Sequence, residues 1–126
     1  MNQTTHRVLI VEDDFISREV LKAMVQQFSL ATEVAESRQQ AIELTLAWRP
    51  TLILLDQELP DGTGIETYHA IRTLLAASTP PVVMISGHQH PDFVSECAAA
   101  GIMRCWSKPV TPGQLADLLR VTGHIE

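Results

Sequence analysis

Three short runs of branched apolar residues constrain this chain more than anything else in it: "RVLIVE" at 7–12, "TLILLD" at 51–56 and "PVVMIS" at 81–86. None shows the polar alternation of a strand with one wet face, so each is expected to be a strand covered on both sides, as in a parallel sheet clothed by helices. Weaker runs, "LATEVAE" at 30–36 and "GIMRCW" at 101–106, complete an evenly spaced set.

The segments between these runs have helical spacing. Ile16, Val20 and Met24 repeat every four residues; Ala41, Leu44 and Trp48 share a face, as do Tyr68, Ile71 and Leu75, and Leu115, Leu118 and Leu119. Ser37 with Gln40 has the pattern of a capping box, Thr111 before Pro112 is a favoured helix start, and Gly101 suits the end of a helix begun near Asp92. Met24, Met84, Met103 and Trp48 sit in apolar patterns and are expected to fill the core. Strict alternation of strand and helix, five times over, predicts a doubly wound α/β fold with a five-stranded parallel sheet, because right-handed crossovers place helices on both faces.

Length allows one domain over 1–126, with a tail of about 1–6 before the first strand and a short one at about 123–126 after the last helix. No apolar run approaches a bilayer-spanning length and the start, MNQTTHR, lacks a secretory core, so a cytoplasmic protein with no membrane partner is expected. With 9 Lys+Arg against 15 Asp+Glu, direct nucleic-acid binding is disfavoured. Cys97 and Cys105 form no CxxC pair and read as reduced, packed thiols.

In such sheets ligands bind at the carboxyl ends of the strands, near the switch in strand order. Glu12 and Asp13 end the first strand, Asp56 the third and Ser86 the fourth, while Lys108 follows the fifth. Clustered carboxylates raise one another's pKa unless a cation sits among them, and hard oxygen ligands suit Mg²⁺. A carboxylate so placed can act as a nucleophile toward phosphorus, with metal, ammonium and hydroxyl offsetting the charge of the transferring group. One strand-end acid alone is usually a surface group or a cap; four suitable residue types at four strand ends are uncommon by chance.

These motifs, "VLIVEDD", "LLDQELPDGTG", "VVMISGH" and "SKP", are separated by 43 residues from Asp13 to Asp56, 30 to Ser86 and 22 to Lys108. Over essentially the whole chain the sequence resembles the receiver domain of two-component response regulators, chemotaxis-regulator-like. The resemblance implies a flavodoxin-like sheet of order 2-1-3-4-5. It also implies that Asp56 accepts a phosphoryl group from a phosphohistidine of a sensor histidine kinase or histidine phosphotransfer protein. Mg²⁺ or Mn²⁺ would then be held by Asp13, Asp56, the backbone carbonyl of Glu58 and, through water, Glu12. Ser86 would be the switch hydroxyl, Lys108 the salt-bridge partner of the phosphoryl group and Lys108–Pro109 a cis peptide. The family is a signalling domain that catalyses its own phosphotransfer and hydrolysis, with a downstream protein or an output domain outside this chain.

One position departs from the family. The switch aromatic, Tyr or Phe three residues before the lysine, is replaced by Cys105, and alternation along the strand turns the adjacent Trp106 to the other face. Signal transmission is therefore expected through the Ser86 to Pro91 loop. His88, two residues after the switch hydroxyl, and Glu58, two after the acceptor, border the path of hydrolytic water and are candidates for tuning phosphate lifetime. A metal site through His88, His90 and Cys97 lacks further ligands. Two other function classes compete. An aspartate-nucleophile phosphohydrolase of the haloacid dehalogenase type would want a DxD on the first strand and a cap. A phosphorylation-independent receiver-like interaction domain would leave Asp56, Asp13 and Lys108 without a role.

Overall fold

The computed structural model describes residues 6–88 and 91–126. Strands β1 (Arg7–Val11), β2 (Ala31–Ala35), β3 (Leu52–Asp56), β6 (Val82–Ser86) and β7 (Arg104–Ser107) form one parallel sheet in the spatial order β2-β1-β3-β6-β7. This is the 2-1-3-4-5 order, interrupted in chain numbering by a two-residue hairpin, β4 (Glu58–Leu59) with β5 (Gly62–Thr63). Two residues per strand are too few for any alternation in the sequence to announce this hairpin.

Helices α1 (Phe15–Gln26), α2 (Arg38–Trp48), α3 (Gly64–Leu75), α4 (Pro91–Ala100) and α5 (Pro112–Val121) connect the strands, with a short 3₁₀ turn at Ala76–Ser78. All five residues of β3 and of β6 are buried, as their unbroken apolar runs require. Alternation along the strands divides the interior in two. On one side Val8, Ile10, Leu54 and Ile85 meet Leu21 and Val25 of α1 and Leu115, Leu118 and Leu119 of α5. On the other, Leu9, Leu55 and Met84 meet Ala41, Tyr68, Ile71, Phe93 and Cys97. Trp106 belongs to the first layer, whereas Cys105 packs against the second, so the two residues do face opposite ways.

Three expectations fail in detail. On α1 the core face is Leu21 with Val25; Ile16 is 72% exposed and Val20 49%. These two, with Met24 and Pro109, instead line a cleft of about 200 Å³ beside Lys108. An i, i+4 stripe registers periodicity without telling which of two apolar stripes faces the sheet. Met103 is 46% exposed because it precedes the edge strand β7, which leaves it beyond the covering helices. The capping box at Ser37 is half made: Ser37 Oγ accepts from Gln40 N, but Gln40 Oε1 accepts from Glu36 N. The full boxes are Thr63 with Glu66 on α3 and Thr111 with Gln114 on α5.

Beyond α5 the chain turns at Gly123 and tucks His124 inward. Its ring lies 2.8 Å from Thr51 Oγ1 and 2.7 Å from Thr122 Oγ1 and stacks on His6 with centroids 4.7 Å apart. The segment after α5 is thus anchored where a tail was expected. Among the described residues no helix is long and apolar enough to cross a membrane.

Candidate functional site

Strand register gathers the site. Val11 pairs with Leu55, Asp56 with Ile85 and Ser86 with Ser107, so the residues ending or following these strands share one edge of the sheet. Glu12 is fixed as the continuation of β1 by its N–H donating to Ala35 O at 2.9 Å. Arg18 of α1 reaches back to the carbonyls of Glu12 and Asp13 at 3.4 and 3.3 Å. Asp14 caps α1, accepting from Ser17 N at 2.8 Å, which commits it to the helix and leaves Asp13 for the pocket.

Carboxylate oxygens of Glu12, Asp13 and Asp56 lie within 4.8 Å of one another; Glu12 and Asp56 are buried and Asp13 is exposed. Lys108 Nζ sits 2.8 Å from Glu12 Oε2 and 3.3 Å from Asp56 Oδ2, bridging the two buried acids. The Lys108–Pro109 peptide is cis. Burial, then the charge of Glu12, pushes Asp56 up to about 7 despite Lys108. Burial of Lys108 works against its charge, but the close ion pair with Glu12 and the charge of Asp56 outweigh it and hold the ammonium above its usual range. One ammonium thus serves two buried carboxylates, and Glu12 Oε2 receives its charge without a well-directed hydrogen bond. This under-compensated oxygen-rich cluster, open on the Asp13 side, fits a small hard cation.

Ser86 Oγ donates toward Glu58 Oε2 and Oε1, at 3.2 and 3.4 Å, and accepts from His88 N at 3.1 Å. The N–H of Glu58 points to Asp56 Oδ1 at 3.4 Å. His88 is exposed at the rim; His90, named in the alternative metal reading, lies outside the described residues. Cys105 packs in the same layer as the buried Cys97, and both are thiols outside any disulfide. Burial first, and then the neighbouring Cys105 thiol, pushes Cys97 up to about 12, and burial also raises Cys105.

Sequence reasoning missed the residues that hold the loop after Asp56. Gln57 Oε1 accepts from Ile65 N at 3.0 Å, and Gln57 O accepts from Gly64 N at 2.9 Å, pinning the start of α3 to the end of β3. Asp61, at the hairpin tip, accepts from Arg38 N and Gln39 N at 2.7 and 3.0 Å, capping α2 from outside. These bonds join residues 7 to 23 positions apart, and no local pattern announces them.

A family model described as the response regulator receiver domain matches residues 8–120. The chain belongs to this family. The receiver is 32% identical over 119 residues to the autoinducer 2 sensor kinase/phosphatase LuxQ of Vibrio vulnificus, covering 94% of this chain and 14% of LuxQ. It is 35% identical over 114 residues to the KDP operon transcriptional regulatory protein KdpE of Escherichia coli, covering 90% and 49%. The receiver therefore spans less than half the length of either relative. Among solved structures, the N-terminal domain of the Wolinella succinogenes protein WS1339 superposes with a TM-score of 0.86 at 26% identity, covering 94% of each chain. Receiver domains are signalling domains of two-component systems, and the relatives include both sensor kinases and response regulators.

Proposed function

We propose that this receiver is a phosphoacceptor switch in which Asp56 takes a phosphoryl group from a phosphohistidine of a sensor histidine kinase or histidine phosphotransfer protein. The observation that carries the reading is a buried strand-end carboxylate 3.3 Å from an ammonium and within 4.8 Å of two further acids. In the transfer a carboxylate oxygen of Asp56 bonds to phosphorus as the nitrogen–phosphorus bond breaks and the imidazole leaves. Lys108, released from one of its two carboxylates, pairs with the phosphoryl oxygens; the Ser86 hydroxyl donates to another.

Asp13, Asp56 and the backbone carbonyl of Glu58 would hold Mg²⁺ or Mn²⁺ directly, with Glu12 acting through water. When bound, the ion supplies charge neutralisation for the phosphoryl group and for the acids around it. Glu58 and His88 flank the route by which water reaches the acyl phosphate, and both bear on its lifetime.

Residues 1–126 act as one receiver, cytoplasmic, with output in a downstream protein or a domain outside this chain. With Cys105 where the family carries its switch aromatic, the signal leaves through the loop after Ser86. Incubation with acetyl phosphate or a cognate kinase in Mg²⁺, followed by intact-mass analysis, tests the proposal: one phosphate is expected, and none in Asp56→Asn. A fully labelled Asp56→Asn protein would refute the assignment.

A further inference from the structure

We propose that Glu58 is a positioning residue that holds the Ser86 hydroxyl off the acceptor, so that phosphorylation must exchange a Ser86–Glu58 hydrogen bond for a Ser86–phosphoryl one. The inference rests on the phosphoacceptor reading of Asp56. It concerns the Glu58 side chain, whereas the metal role implied for this residue uses its backbone carbonyl.

Ser86 Oγ has one proton. Both Glu58 carboxylate oxygens, at 3.2 and 3.4 Å, share it, while the N–H of His88 occupies a lone pair at 3.1 Å. Among the described residues the hydroxyl makes no hydrogen bond to Asp56, although Ser86 follows the register partner of Asp56 by one residue and both are buried. The hydroxyl is thus fully used and directed at the wrong carboxylate. Glu58 can do this because β4 begins two residues after Asp56. Its N–H turns toward Asp56 Oδ1, and pairing of β4 with β5 fixes the strand from which its side chain crosses the mouth of the site.

A phosphoryl group on Asp56 competes for the same proton and repels the same carboxylate. The lone-pair bond from His88 N does not oppose the exchange, since it can persist as the proton turns. Breaking a hydrogen bond to a charged but exposed acceptor costs little enough to be overcome by an ionised phosphoryl oxygen and enough to bias the resting state.

Glu58 also carries charge, and a carboxylate at the mouth of an acidic site would weaken anion binding even without touching Ser86. A double-mutant cycle separates the two effects. Beryllofluoride is titrated at saturating Mg²⁺ into wild type, Glu58→Ala, Ser86→Ala, the double variant and Asp56→Asn, all in the full chain. Glu58→Ala is expected to tighten binding about fivefold to tenfold where Ser86 is present and by less than about twofold in the Ser86→Ala background. Glu58→Gln, which keeps an acceptor oxygen, should recover much of the wild-type affinity. In metal-free protein the His88 amide resonance should shift in Glu58→Ala. An equal gain in both backgrounds, or no gain with Ser86 present, overturns the proposal while leaving Asp56 as acceptor. Indistinguishable titrations of wild type and Asp56→Asn overturn the acceptor reading and this inference with it.

Discussion

At the scale of single residues the electrostatics of Asp56 give the sharpest expectations. Its folded pKa, about 7, lies above the ordinary 3.8, so between those values the native state holds a proton that the unfolded chain has released. The stability this contributes is present in full below about pH 4 and is lost as pH rises through 7. In metal-free buffer, Asp56→Asn should therefore gain on wild type as pH rises from 4 to 8, reaching about 2 kcal/mol, roughly half of the undiscounted value because solvent at the cleft mouth damps it. Urea melts across that range check the trend; a constant difference, or one that shrinks, contradicts the cause assigned to the shift. Asp13→Ala should likewise leave the metal-free fold intact or firmer, since it removes a like charge, yet abolish labelling by acetyl phosphate; EDTA should abolish wild-type labelling too. Undiminished labelling in EDTA would remove the metal from the mechanism.

At the scale of elements, the joint between β3 and α3 is the least forgiving part of the site. A Cβ on Gly64 would stand 2.5 Å from Asp56 O and 2.6 Å from Met84 Sδ; the first is backbone and cannot swing aside. Gly64→Ala should cost about 1–3 kcal/mol in chemical denaturation, the ordinary price of overpacking a closed contact. The surviving protein should also label more slowly, because the strain falls on the carbonyl of Asp56 itself. Wild-type stability in this variant would mean that α3 can withdraw from the strand end.

At the scale of the whole molecule the two edges of the sheet titrate in opposite senses. Burial, and then the charge of His6, lower the pKa of His124 from 6.5, so the unfolded chain takes up this proton first as pH falls. Its contribution is present above about 6.5 and lost below, the reverse of Asp56. Relative to wild type, His124→Gln should therefore lose less stability as pH falls below about 6.5, whereas Asp56→Asn should lose less as pH rises from about 4 to 7, two changes of opposite sign. Thermal melts of the two variants and wild type from pH 4 to 8 test this, and an acid slope unchanged in His124→Gln would assign that slope to other groups.

The sequence alone determined the strands, the helices, the sheet order through its family resemblance, and the edge at which Glu12, Asp13, Asp56, Ser86 and Lys108 meet. The reason is that an unbroken apolar run reports burial on both faces, and the residue after it reports where burial stops. Only the tertiary structure decided which stripe of α1 faces the sheet, that His124 is held by Thr51, and that Asp61 caps a helix begun 23 positions earlier. It alone showed Ser86 bonded to Glu58, 28 positions away, in place of Asp56. Periodicity and propensity act over a turn or two of chain, whereas a polar side chain takes whichever partner the folded backbone brings within about 3 Å, and no local pattern encodes that choice.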